Sequence, residues 1–321
     1  MATWSGNARA EDAGARLDRW LSERLPALSR MRIKALVEEG HVRVGGRRPK
    51  SAYRVRAGDQ VSVDVPAPAP DGLEPEAIPL RVAFEDDHVL VVDKPPGMVT
   101  HPGAGQRTGT LAAAALAHAP GIAGVGGPRR PGIVHRLDKG TSGLIALAKT
   151  QAAYDALTAQ LAARTVSRRY LALVHGRVKR DAGVIDAAIG RDPRSRVRMA
   201  VAREGRGRRA VTRFQVLERL GDCTYLECRL DTGRTHQIRV HLASLGFPLV
   251  GDATYGGRAH EAGWPRELRE LVAGLGGVAL HAAGLEFTHP ETGSRVQLVS
   301  PLPHRIGNLL SFLRGGAAPS G

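Results

Sequence analysis

Residues 132–144 read GIVHRLDKGTSGL, one aspartate on a turn between two apolar runs. Apolar Ile133 and Val134 lead into it, and the run LIALA from Leu144 leads out as a short buried strand. Between them lies a turn closed by Gly140, Thr141, Ser142 and Gly143, with Asp138 the lone carboxylate beside His135, Arg136 and Lys139. By itself an aspartate at such a place is an ordinary turn former. A free aspartate, with a pKa of about 3.9, is ionised at neutral pH. Burial raises that value, and a cation within about 4–6 Å lowers it again. A carboxylate kept charged yet partly desolvated is a competent nucleophile or base. Arg136 and Lys139 flank Asp138 but can point away. GRTHQIRVH sets Arg234 just before a helix, as a more distant candidate partner.

Outward from this turn, strand signals dominate. LRVAFEDDHVLVVDKPPG, from Leu80, reads as strand, turn at Asp86 and Asp87, strand, and a stop at Pro95 and Pro96. GTLAAAALAHA is helical, and Thr150 is placed to cap a helix over QAAYDALTAQLAAR. RRYLALVHG, RRAVTRFQVLERL and CTYLECRL read as further strands. THQIRVHLASLG reads as a helix capped by Thr235 and closed near Gly246. VALHAAGLEFTHP and SRVQLVSP form a last strand pair, followed by a helix over HRIGNLLSFLR. Strands with irregularly interspersed helices favour an α+β fold with a mixed or antiparallel sheet.

The proline-rich segment 66–79, PAPAPDGLEPEAIP, reads as a semi-rigid linker. The chain then divides into an unstructured 1–14, a small domain over 15–65, the linker, a catalytic domain over 80–314, and an unstructured tail over 315–321. In the small domain Leu17, Trp20, Leu21 and Leu25 share one helical face. Ser29 caps a second helix carrying Ile33, Leu36 and Val37, which ends at Gly40. Arg30, Arg32, Lys34, Arg43, Arg47, Arg48 and Lys50 are left over as a candidate phosphate-binding edge. This unit resembles the αα-hairpin RNA-binding domain named after a small-subunit ribosomal protein.

Charge points the same way. Lys and Arg number 46 against 31 Asp and Glu, a net +15 that favours a polyanionic partner. From Arg191 to Arg213 nine arginines face only Asp192 and Glu204, and Arg206, Arg208 and Arg209 stand at the centre of this second basic strip. No apolar run approaches the roughly 20 residues that cross a bilayer, and MATWSGNARAEDAG lacks the plan of a signal peptide, so a cytoplasmic protein is expected.

Several chemistries are excluded. HRLDK is like a kinase catalytic loop, but its Asp is one place late and no DFG follows. His236 and His241 lack the spacing and intervening Glu of zinc proteases. Cys223 and Cys228, the only cysteines, point to opposite faces of a strand and form no ligand pair. No phosphate-cradling loop is found. Neither a metal nor a nucleotide cofactor is expected.

Taken in order, VVDKPPGMVTHPG, HRLDKGTSG, SRRYLALVHG, TGRTHQIRVH and ALHAAGLEFTHP strongly resemble the RluA family of pseudouridine synthases over residues 80–314. Within it the likeness is to the D type, which modifies large-subunit (23S) ribosomal RNA. The resemblance implies Asp138 as catalytic carboxylate and Arg136 as the residue that fills the gap left by an extruded uridine. It implies Tyr170 stacking on the base and assisting proton removal, Arg234 pairing with Asp138, and Leu280 packing against the base. It further implies an enzyme without cofactor, acting on ribosomal RNA, naked or in a pre-ribosomal particle; a monomer is expected. Another rRNA site, or tRNA, is the alternative substrate; a non-catalytic RNA-binding or ribosome-assembly factor is the rival function. Gly140, where relatives often carry an acid, is expected to loosen the turn.

Overall fold

The computed structural model describes residues 2–25, 28, 30–50, 53–65, 73–103, 105–195, 198–203 and 205–315; the side chains of 30–32, 35, 257 and 258 also lie outside the description. The chain forms two compact units, Met1–Asp71 and Gly72–Gly321.

In the first unit, helices α1 (Leu17–Arg24) and α2 (Arg30–Glu39) accompany a three-stranded antiparallel sheet of order β1–β3–β2, formed by β1 (Ala2–Asn7), β2 (Val42–Val44) and β3 (Gln60–Val65). Leu17, Trp20, Leu21, Ile33, Leu36 and Val37 form its core with Val42, Val61 and Val63. The expectation of an unstructured 1–14 is corrected. β1 pairs with β3 from Ala2 opposite Val65 to Asn7 opposite Gln60, and Trp4 meets Trp20 edge-on at 5.9 Å. The pairing spans some sixty residues of chain, so no local signal announces it. The cap at Ser29 lies outside the described residues.

The second unit is built on a nine-stranded sheet. Its strands are β4 (Val82–Glu85), β5 (Val89–Lys94), β6 (Ser142–Ala148), β7 (Ser167–His175), β8 (Ala182–Asp186), β11 (Val211–Leu220), β12 (Cys223–Leu230), β13 (Leu280–Thr288) and β14 (Arg295–Val299). The order is β4–β5–β6–β13–β7–β12–β11–β8, with β14 paired to β13. Only β6 and β13 run parallel, so the sheet is mixed and mostly antiparallel. A separate hairpin joins β9 (Ile189–Arg191) to β10 (Met199–Val201). Helices α3 (Leu111–His118), α4 (Gln151–Ala163), α5 (Gln237–Ser244), α6 (Gly257–Glu261), α7 (Arg266–Ala273) and α8 (His304–Leu313) complete the unit. Thr110 and Thr150 cap α3 and α4 through hydrogen bonds from the amides of Ala113 and Ala153.

The proline-rich segment is shorter than expected. Residues 66–72 lie outside the description, but Leu73 packs on the core of the second unit and its amide donates to Pro128 O. Glu76 accepts the Gly109 amide. The helix at 235–246 also differs. His236, at φ 57°, is the N-cap rather than Thr235. Of the expected tail, Gly315 is a turn residue and 316–321 are not described. Cys223 and Cys228 face different core clusters, and burial pushes both thiols up to about 12.

Strand order decides which segments meet. β13 lies between β6 and β7, with His281 opposite Ser142 on one side and Ala282 opposite Tyr170 on the other. The turn that enters β6, the start of β13, the middle of β7 and the end of β12 are thereby gathered at one place in the sheet.

Candidate active site

The 132–144 turn is clamped from both sides. Thr100, buried, donates its hydroxyl to Leu137 O (2.7 Å) and accepts the Leu137 amide. The Gly97 amide donates to Lys139 O, and the Thr141 amide to Asp138 O. The expectation that Gly140 loosens the turn is corrected. A Cβ there would stand 3.1 Å from the Gly277 Cα, so the absent side chain permits two backbones to pack together, joined by the Val278 amide donating to Gly140 O. Backbone groups fixed this way hold Asp138 in one place.

Asp138 borders a cavity of about 430 Å³ that Arg136, Tyr170, Arg234 and Leu280 also line. All five residues singled out from the sequence therefore meet. Tyr170 and Leu280 are buried, and Arg136 is exposed. Burial raises the Tyr170 pKa, so its phenol keeps its proton at neutral pH, which favours stacking over proton removal.

The partner of Asp138 is Arg239, not Arg234. Arg239 Nη1 donates to Asp138 Oδ2 at 3.4 Å, whereas Arg234 Nε donates to Arg209 O. The correction has a physical reason. Arg239 is already fixed by a two-pronged bond, Nε and Nη2 donating to Asp252 at 2.8 and 2.9 Å. Asp252 is fully buried and also accepts the amides of Thr254 and Tyr255. Such a fork costs little further ordering when Nη1 meets Asp138. Burial opposes the Arg239 charge, but the bonds and charge of Asp252, with Asp138, outweigh it and raise its pKa.

His236 Nε2 lies 3.9 Å from Asp138 Oδ1. Its Nδ1 is 2.8 Å from the Tyr255 hydroxyl, which accepts the Met199 amide. That hydroxyl is free to donate to Nδ1, which assigns the imidazole proton to Nε2, facing the carboxylate. Lys94, fully buried, donates to Pro95 O and Met98 O, and burial pushes its pKa down to about 7 against the opposing charge of Asp138. Sequence reasoning missed Arg239, Asp252, Tyr255, His236 and Lys94. Their signals were present: a lysine ending an apolar strand before Pro-Pro, and GDATYGG following the helix that carries Arg239.

The basic surfaces are only partly free. In the first unit the side chains of Arg30 and Arg32 lie outside the description. Lys34 pairs with Glu38 at 3.8 Å, Arg43 donates to Gly46 O, and Arg48 donates to Glu38 O. Arg47 and Lys50 are exposed. In the second unit Arg206 and Arg208 are exposed, but Arg209 pairs with Asp186 at 2.8 Å and Arg213 with Asp231 at 3.0 Å. Exposed pairs are weak because water screens them, so phosphates can compete for these arginines. Among the described residues no three His, Cys, Asp or Glu are grouped to hold a metal ion, and no helix is long and apolar enough to cross a membrane.

Burial lowers the pKa of His101, His135, His175, His236, His241 and His281. The unfolded chain binds protons at these sites below about pH 6.5 while the folded chain resists them, so stability is lost as pH falls through that value. His135, pushed down to about 3, alone costs about 2 kcal/mol between pH 7 and 5. The melting temperature is therefore expected to drop by at least about 4 °C over that interval. A flat profile in calorimetry would contradict the neutral burial of these rings.

Residues 88–244 match the family model for RNA pseudouridylate synthase, and residues 15–61 match the S4 domain. The ribosomal large subunit pseudouridine synthase D of Zymomonas mobilis is 44% identical over 98% of this chain and 98% of its own length. That of Neisseria meningitidis serogroup B is 46% identical over 95% and 80%. An uncharacterized RNA pseudouridine synthase of Bacillus subtilis, YlyB, is 45% identical over 96% and 97%. Among solved structures, human RNA pseudouridylate synthase domain containing 1 superposes with a TM-score of 0.55 at 26% identity, covering 76% of this chain and 98% of that one.

Proposed function

This chain belongs to the RNA pseudouridine synthase family, and from that premise we propose that it isomerises uridines of large-subunit (23S) ribosomal RNA, with Asp138 as the catalytic carboxylate. The observation that carries the reading is Asp138, its side chain 13% exposed, held 3.4 Å from Arg239 in a cavity shared with Tyr170 and Leu280. The reaction breaks the N1–C1′ bond of uridine and joins C5 to C1′. N1 gains a hydrogen and C5 loses one, so no oxidant, reductant or water is consumed. Glycoside hydrolysis usually needs two carboxylates, one of them to activate water. An isomerisation that keeps its base in the cavity consumes no water, so one carboxylate suffices.

The target atoms are shielded in stacked RNA, so the nucleotide must be extruded, at a cost of a few kcal/mol. Stacking on Tyr170 returns about 1–3 kcal/mol. Arg136, exposed at the cavity, occupies the space that the uridine leaves. Leu280 packs against the base, and Arg234 meets the RNA at the cavity rather than Asp138. The S4 domain and the arginine strip supply affinity for phosphate. The protein acts in the cytoplasm as a monomer, on RNA that is free or in a pre-ribosomal particle.

Release of the C5 hydrogen tests the reading. Large-subunit rRNA transcribed with C5-tritiated uridine should yield tritiated water at a rate proportional to enzyme. RNA binding without release would make the protein a binding factor; release from tRNA alone would move the substrate.

A further inference from the structure

Arg168 is 8% exposed and lines the same cavity, yet among the described residues no carboxylate pairs with it. Its hydrogen bond is a long one, Nη2 to Leu230 O at 3.4 Å, and its Nε is buried without a partner. Its neighbour Arg169 makes the contrast. On β7 alternate residues face opposite ways, and Arg169, on the other face, stands 3.5 Å from Glu227. Arg168 shares its face with Tyr170. A buried cation without an anion is costly, and one that persists beside a binding cavity marks the place of an absent partner.

Two further cavity-lining residues carry a buried polar atom without a partner. His135 Nε2 accepts the Ala146 amide, so the proton of the neutral ring sits on Nδ1, and that atom is buried without a partner; so is Thr141 Oγ1. Both residues line the cavity. Gly233, in the turn before Arg234, leaves room for the guanidinium: a Cβ there would lie 2.7 Å from Arg168 Nη1.

We propose that Arg168 is the anion-binding residue of the site and receives a phosphodiester oxygen flanking the extruded uridine. The assignment rests on reading the cavity as the place of an extruded nucleotide. Uracil is neutral, so its carbonyls would accept a hydrogen bond and leave the charge unbalanced. The phosphodiester is the one anion that RNA carries at every nucleotide, and the planar guanidinium fork matches it. Arg168 thus positions the nucleotide against Asp138 and Tyr170.

The test is a cycle between protein and RNA. A neutral methylphosphonate replaces, in turn, the linkage on each side of the target uridine. Wild-type kcat/KM should fall about 10- to 100-fold for one of the two positions. Arg168→Gln should lose a similar factor on all-phosphate RNA and lose no more on the neutral linkage. Gly233→Ala, which crowds the guanidinium without removing it, should weaken the linkage effect in the same direction. Removing an uncompensated charge should leave the Arg168→Gln melting temperature equal or higher. If the neutral linkage costs Arg168→Gln as much as wild type, or costs wild type nothing at either position, the assignment is overturned. A lower melting temperature with an intact linkage effect would also overturn it, by making Arg168 a residue of the fold. If wild type turns over no all-phosphate RNA, the isomerase reading fails separately, and the same cycle read as RNA Kd still decides Arg168.

Discussion

Asp138→Asn is expected to lower kcat on the order of 10⁴-fold or more while changing RNA Kd by less than about threefold. On the proposed reading the two effects separate, because affinity would come from cations spread over the S4 domain and the arginine strip, whereas the reaction would depend on one carboxylate. The amide keeps the shape of the turn. Thr100, Gly97 and Gly140 hold it through backbone groups that the substitution leaves alone. Arg239 keeps its fork on Asp252, so no buried cation is stranded. Single-turnover kinetics on rRNA with filter-binding titrations check both halves. Residual turnover within about tenfold of wild type would remove Asp138 from the chemistry.

Arg239→Met is expected to be the next most damaging change, and Arg234→Met a mild one. The first leaves Asp252 buried without its cation, which costs about 3–5 kcal/mol of stability. It also removes the donor aimed at Asp138, for a further loss of about 10²–10³-fold in kcat among molecules that fold. Arg239→Lys keeps a charge but not the fork, and should recover stability more than rate. Arg234 lines the cavity, and among the described residues its side chain donates only to Arg209 O, so Arg234→Met should stay within about fivefold of wild-type kcat. Melting curves and kcat for the three variants rank them. The reverse order, with Arg234→Met the more harmful, would restore Arg234 as the partner of the carboxylate.

The difference between these arginines marks where sequence reading stops. Asp138, Arg136, Tyr170 and Leu280 were named through the family resemblance of the strings that carry them, and strand order brings those strings to one cavity. The choice between Arg234 and Arg239 depends on Asp252, thirteen residues beyond Arg239, and on His236 taking a left-handed conformation that delays the helix start by one residue. Neither follows from spacing. Arg168 and Arg169 are likewise indistinguishable as letters; only the pleat of β7 and the location of Glu227 separate a paired surface cation from a buried unpaired one. At the N-terminus, β1 was missed because its partner lies some sixty residues away. Helix α7 could have been found, since Leu268 and Val272 repeat at the spacing of one buried face.

The most direct measurement is a map of pseudouridines in large-subunit rRNA from cells that lack the gene, complemented with either the wild-type protein or Asp138→Asn. A defined set of pseudouridines should be missing without the gene, return with wild type, and stay missing with Asp138→Asn present at equal abundance. Return of those modifications with Asp138→Asn, or an unchanged map in cells without the gene, would contradict the account.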